Sequence, residues 1–454
     1  MAFVCGVYIA RQVTAGRAAS VTVAVVSLSI YIACLWLPAH LQAAGLIESK
    51  LERAGIARPP SMGEIDQLAL RWSIELTILT FVEFLVWRTR HGANATQVHA
   101  LYDIDQRWER TARLLVIVGG MSMVIFPPLA LESRAEGGQG FGTLMRTFLI
   151  VGLAVIVYYR GFGKPFNWLL LILGTVVLIL GNVRSPLLVL VCAYLASEIR
   201  LGRLRKIRRL VGVLAVIIIF ALAGSVMSGL RANTARNYGY TTGEVIAQAL
   251  DNPWIAPFEA GLDTLDGYRF SERIAPLEEP QPMDLFNTVL TFVPREIWKE
   301  KPSDLSVAMS SKYLNYQGSG QYLSPTGYFT LTLGSYSASL VGLGAFSLVI
   351  SLLARKYAAR FGYSFVLVVS IRFLLGGSSF DLYYGLTLAL PTWAAYSAVT
   401  LSDRLRARRP LKAVTFYRVM DEDQAPGGTN LEAGGQRFIR GSGGPRNRQW
   451  KLKR

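Results

Sequence analysis

Cysteine and histidine are almost missing from this chain. Three cysteines, Cys5, Cys34 and Cys192, are scattered through 454 residues, and each lies in an apolar run. They have no metal-ligand spacing and suggest no disulfide framework. His40, His91 and His99 are the only histidines, and a zinc site cannot be assembled from them. No G-x-x-x-x-G-K-[ST] run occurs, so a phosphate-cradling nucleotide loop is excluded. Charge is thin as well, at 17% of residues, where soluble domains carry about 25%. Acid is the scarcer sign: 30 Asp and Glu stand against 47 Lys and Arg, a formal charge of +17. The apolar stretch Met1 to Ala10 is too short to span a bilayer. No small-residue cleavage site follows it, so it is not read as a removed signal peptide. No internal repeat is visible.

What fills the space is hydrophobic residue, 52% of the chain, clumped into runs. Crossing a bilayer takes roughly 17–25 apolar residues. The runs lie at Ala18 to Ala39, Leu68 to Trp87, Leu114 to Leu131, Leu144 to Tyr159 and Phe166 to Asn182. They continue at Leu187 to Ser197, Leu210 to Met227, Phe329 to Leu353, Phe365 to Leu375 and Leu382 to Val399. The pattern predicts an all-α polytopic membrane protein of about ten transmembrane helices, with one long outer loop between the seventh and eighth spans. Residues 1–401 form the helical bundle with its outer loop 232–324. Residues 402–454 form a basic, Gly-rich cytoplasmic tail expected to be largely disordered.

Charge orients the spans. Lys and Arg favour short cytoplasmic loops. With ten spans, the clusters at Arg11/Arg17, Arg88–Arg113, Arg160/Lys164, Arg200–Arg209 and Arg355–Arg360 fall on one side with the tail. The long loop, the corner at Arg184 and the loop from Glu48 to Pro60 fall on the other. The +17 charge is then mostly topology, with a tail suited to anionic lipid heads, and requires no nucleic acid.

The long loop holds the informative residues. Phe258, Leu262, Leu265 and Phe270 recur near helical spacing and predict an amphipathic helix, lying on the bilayer, over the bundle, or as an ordinary packed helix. Further on, Val293 to Pro302 reads VPREIWKEKP. Pro294 and Pro302 fix corners around Arg295, Trp298, Lys299 and Lys301. Cations beside an indole suit a phosphate head and a sugar face. Arg184 follows GNV at an outer span end, and Arg231 and Arg236 follow the seventh span. Each reads equally as a snorkelling membrane-edge arginine. Arg372 lies inside the apolar ninth run, where a cation must face protein or water and take a functional or ion-pairing role. Guanidinium groups gathered at the outer surface would suit a diphosphate, because the planar fork makes two charge-assisted bonds. No Ser/His/Asp set can be assembled outside, so outer base candidates are Glu259, Asp263, Asp266, Glu300 and Asp304, most of them expected to be solvated.

VPREIWKEKP after a long outer loop resembles the PR-x-x-W-x-x-KP signature of bacterial O-antigen and exopolysaccharide polymerases of the Wzy type. GNVRSPLLVLVCAYLA is similar to that family's Gly-x-x-Arg turn between two spans, and TGYFTLTLGSYSASLVGLGAFSLVI to its Gly-rich span after the loop. The likeness covers roughly Leu169 to Ile350. Family members often carry an acidic residue in the span after the loop, where this chain reads Phe329, Thr330, Leu331, Thr332. The resemblance implies a glycosyltransferase of the inner membrane, with the long loop periplasmic. It would join undecaprenyl-diphosphate-linked oligosaccharide repeat units without a cofactor or metal. Its implied partners are those glycolipids, membrane lipids and, as a further candidate, a chain-length regulator. Arg295, Arg184 and Arg231 would be catalytic. Lys301, Trp298, Arg372 and Arg236 would bind substrate. Trp298 reads equally as a sugar platform and as an interfacial belt residue.

Two other readings stay open. An O-antigen ligase would pass the glycan to lipid A core, although its usual outer-loop histidine has no counterpart. A transporter or flippase for lipid-linked glycans would use Glu75 and Glu83 of the second span as coupling-ion groups and Arg372 as a substrate contact.

Overall fold

A computed structural model of the chain describes residues 2–53, 58–88, 106–125, 140–180, 185–205, 255–287, 304–314 and 322–408, with isolated positions between 208 and 247. Among these residues the protein is all-helical. The chain divides into two units, Met1–Arg406 and Ala407–Arg454.

Helix α1 (Ala2–Thr14) is followed by α2 (Ala18–Ala43), α3 (Met62–Arg88), α4 (Gln106–Ile125), α5 (Gly140–Tyr158), α6 (Pro165–Leu180) and α7 (Ser185–Arg200). The described part of the long loop contributes α8 (Ile255–Ile274) and α9 (Leu305–Leu314). Then come α10 (Pro325–Leu333), α11 (Tyr336–Tyr357), α12 (Gly362–Gly376) and α13 (Ser379–Arg408).

Among the described residues two helices, α2 and α11, are long and apolar enough to cross a membrane. At 1.5 Å per residue the shorter spans roughly 33 Å against a hydrocarbon core of about 30 Å. Helices α1, α6 and α12 are apolar but shorter, and the stretch Arg146–Tyr158 of α5 is apolar as well. The seventh expected run lies largely outside the described residues.

Many boundaries differ from the sequence expectation, α4 starting at Gln106 rather than Leu114 for instance, and three of the differences have a visible cause. The second helix starts at Met62 rather than Leu68, because Ser61 and Glu64 form a reciprocal cap: the Ser61 amide donates to Glu64 at 2.7 Å and the Glu64 amide to Ser61 Oγ at 3.3 Å. The eighth run is two helices. Gly334 adopts φ 89°, a left-handed turn that glycine allows without a Cβ clash, and Ser335 then caps α11 by accepting from the Ala338 amide. The last helix continues to Arg408, past the expected start of the tail at Ser402.

The core gathers around α5, whose Val151, Leu153, Ala154, Val155 and Ile156 are fully buried. Helices α4, α6 and α7 pack on it. Gly119 lets α4 approach so closely that a Cβ there would fall 2.2 Å from the Leu149 amide nitrogen. Helix α12 packs on α7, α11 and α2.

Helices α3 and α12 define two ends. At the last turn of α3, Arg355 donates to the Val86 carbonyl, and at the start of α12 Tyr363 bonds Thr22. This is the basic end. Arg160 pairs with Glu198 there, Lys164 and Arg113 both pair with Glu109, and Arg107 and Arg110 pair with Asp403. In its first half α3 meets α8, and at its last turn α12 receives the Leu323 amide on the Gly376 carbonyl. This is the loop end. Every cation in these basic-end pairs comes from a cluster that the charge pattern assigns to one side. The described residues of the outer loop contact the other end.

Candidate functional site

At the loop end a recess of about 280 Å³ opens between α3, α8 and the break from α10 to α11. Arg71 and Glu75 stand one turn apart on α3 and so share a face. Arg71 pairs with Glu272 of α8 and places its guanidinium 5.6 Å from the Tyr336 ring centre. Tyr268 of α8 donates to Glu75 at 2.8 Å. The Tyr268 ring meets Trp72 edge-on at 5.7 Å, and Trp72 meets Tyr31 edge-on at 5.5 Å, which braces α8 against α3 and α2. The amphipathic expectation for α8 holds at Leu262, Leu265 and Phe270, all buried. The side chain of Phe258 lies outside the described residues.

One hydroxyl at the recess is unspent. Tyr336 Oη is buried and has no hydrogen-bond partner, although the residue lines the space, whereas the Thr326 hydroxyl is turned to the Glu75 carboxyl. Ser324 lies between this recess and a smaller one of about 50 Å³ beneath it that reaches Glu75 and Trp72. Ser324 has φ 61° and ψ 155°, a conformation strained for a residue with a Cβ. It is held there by three bonds: Leu323 N–H to Gly376 O at 3.0 Å, Gly327 N–H to Ser324 Oγ at 3.0 Å, and Tyr328 N–H to Ser324 O at 2.9 Å.

Arg372 is ion-paired. Its Nε donates to Asp381 Oδ1 at 2.6 Å, its guanidinium lies 4.0 Å from the Tyr384 ring centre, and Ser378 holds the other carboxylate oxygen at 2.9 Å. The ion-pairing role expected for an intramembrane arginine is therefore present. Arg184, Arg231, Arg236, Arg295, Trp298 and Lys301 lie outside the described residues, as does Glu300, and Glu259 is described only in its backbone.

Of the remaining carboxylates, Asp304 accepts from the Ser306 amide at the start of α9. Asp266 is buried on α8, and burial pushes its carboxyl up to about 6, against a smaller opposing pull from the Ser49 hydroxyl, the Leu51 amide and Arg269. Lys312 and Tyr313 donate to Glu278 and hold that carboxyl below its ordinary range. Among the described residues no group of three or more His, Cys, Asp and Glu is placed to hold a metal.

Glu83 has a structural task. It is fully buried and accepts from the Val23 and Ala24 amides, both at 2.8 Å, at the irregular start of α2. Those N–H groups have no partner within the helix, and the positive end of the helix dipole favours a carboxylate there.

Sequence reasoning weighed Glu75 as a charge in an apolar run but could not find its partner or that of Arg71. Glu272 is 201 residues from Arg71, and Tyr268 is 193 from Glu75. The spacing of Arg71 and Glu75 by four was the usable signal. Comparison of the chain with family models, curated proteins and solved structures finds no match.

Proposed function

We propose that this protein is a multi-pass glycosyltransferase of the bacterial inner membrane that polymerises undecaprenyl-diphosphate-linked repeat units at the periplasmic face into O-antigen or exopolysaccharide. The observation that carries the reading is the division of labour between the two ends of the bundle. The described basic-loop residues pair off at one end, while the loop helix, Arg71 and Arg372 collect at the other. An outer-facing polar recess beside a long loop is what a lipid-borne glycan needs. Arginines on the loop and the neighbouring span ends, Arg295, Arg184 and Arg231, hold the diphosphate and stabilise charge as the glycosidic bond breaks. Lys301, Trp298 and Arg236 help to bind it, and Arg372 contributes from its ion pair. The lipid diphosphate is itself the activated leaving group, so no nucleotide is consumed.

The flippase reading loses its Glu83 arm, since that carboxylate is committed to capping α2. The ligase reading differs in acceptor alone. Purified full-length protein in detergent, given lipid-linked repeat units, is expected to build a ladder without gradient or nucleotide. Relocation of intact units across vesicles, or transfer to lipid A core alone, would refute the polymerase. Arg295→Ala is expected to abolish long chains and leave single-unit glycolipid intact. Arg295→Lys should rescue poorly, because a point charge lacks the bidentate fork.

A further inference from the structure

We propose that the recess between α3, α8 and the α10–α11 break is a subsite for one pyranose ring, a neutral sugar unit of the glycan, which deepens the polymerase reading and rests on it for the sugar's origin.

The chemistry of the walls selects the ligand. A sugar ring carries alternating hydroxyl donors and acceptors on a compact frame. The recess offers Arg71 as donor and Glu272 as acceptor side by side at its rim. The Tyr336 hydroxyl is desolvated without a partner. A buried hydroxyl left unpaired costs about 1–3 kcal/mol, and a ligand hydroxyl that reaches it recovers that cost. At about 280 Å³ the space is near the lower bound of small-molecule sites, roughly 300 Å³, so it takes one ring and not an oligosaccharide.

The same walls reject a diphosphate. Arg71 is its one cation and is already paired with Glu272, and Glu75 lies behind Tyr268. With its one guanidinium already neutralised by a carboxylate, the recess offers a polyanion no net positive charge. The sugar and its diphosphate are therefore held by different residues.

The test uses purified full-length protein in detergent and a panel of methyl hexopyranosides, read by saturation-transfer NMR. Inorganic pyrophosphate is the competitor. At least one glycoside is expected to saturate, undisturbed by pyrophosphate. Tyr336→Phe keeps the ring and removes the hydroxyl, and is expected to weaken binding at least tenfold. Thr330→Trp fills the recess and should abolish it. Glycoside binding unchanged in both variants, failure of every glycoside, or displacement by pyrophosphate would overturn the subsite. The two proposals fail separately. Glycoside binding by a protein that builds no ladder keeps the subsite and removes the polymerase. A ladder of wild-type length from a well-folded Thr330→Trp removes the subsite and keeps the polymerase.

Discussion

Each end of the bundle buries a carboxylate against an arginine, and the two ends use the pair differently. At the basic end, Arg160 reaches Glu198, which is 1% exposed, and the neighbouring charges are consumed in the same way: Glu109 takes Arg113, Lys164 and the Asn167 amide. Aromatic rings close over them, with Trp108 against Tyr396 at 4.7 Å and Arg200 against Tyr158 at 4.6 Å. At the loop end, Arg372 and Asp381 are locked in a similar pair. A few residues away, however, Arg71 and Glu272 stand at the mouth of an open recess beside the unpartnered Tyr336 hydroxyl. Closed polar networks add rigidity, and open ones cost stability. Buried polar atoms without partners occur at both ends, Glu198 Oε2, Arg200 Nε and Tyr158 Oη at the basic end among them, so what sets the loop end apart is the recess that its polar groups border.

The matched pairs offer the sharpest way to break this comparison. Arg372→Ala strands Asp381 in a buried setting and is expected to cost about 4 kcal/mol. Arg160→Ala strands Glu198 as well, but Arg160 is the more exposed of the two arginines and its removal admits water, so the expected cost is about 3 kcal/mol. Thermal unfolding of purified protein in detergent checks both. Adding Asp381→Asn to Arg372→Ala should recover more than half of the loss, the coupling expected of residues in contact. Additive losses would show that the pair is not one unit.

Asp266 tests whether the loop helix is under electrostatic load. Its carboxyl titrates at about 6 in the fold against an ordinary 3.8, so the folded state holds the proton more tightly than the open chain. Stability from this group is present below 3.8 and is lost as pH rises through about 6. Asp266→Asn is therefore expected to stabilise the protein by about 2 kcal/mol at pH 7.5, with the gain vanishing near pH 4. Denaturation midpoints across that range provide the measurement. A loss at pH 7.5 would mean that Arg269 matters more to Asp266 than its burial does.

How much of this was readable beforehand divides along the same line. Helices announced themselves through apolar runs, and positive loops anticipated which span ends meet. The early start of α3 was also present in the letters, as the capping pair Ser61 and Glu64. The break at Gly334 was legible only as a glycine among several in that run, since its left-handed turn depends on where α11 packs. The recess was not legible, because its walls come from α3, α8 and the α10–α11 break, and a contact such as Arg71 to Glu272 has no local signature. The arginines that the motif singled out, Arg295, Arg184 and Arg231, fall outside the described residues, so the sugar side of the proposal now rests on geometry and the diphosphate side on sequence.

Ser324 gives the finest test of whether the loop end stores strain. Its φ of 61° with ψ of 155° belongs to glycine's territory, and a Cβ there costs about 1–3 kcal/mol. Its hydroxyl offsets part of this by capping α10 through the Gly327 amide. At an N-cap, glycine is worse than serine by only a few tenths of a kcal/mol. Ser324→Gly is therefore expected to stabilise by about 1 kcal/mol, the strain relieved outweighing the cap lost. Ser324→Ala keeps the strained Cβ and loses the cap, so it should destabilise by about 1 kcal/mol. Opposite signs from two small substitutions at one position are hard to obtain from anything but backbone strain. The crowding is fixed from the far side too, since a Cβ on Gly377 would lie 2.0 Å from the Ser324 carbonyl oxygen, leaving the segment no room to relax by shifting toward α12. If both variants destabilise, the hydroxyl matters more than the dihedral, and Ser324 is a cap like Ser335 rather than a strained hinge of the recess.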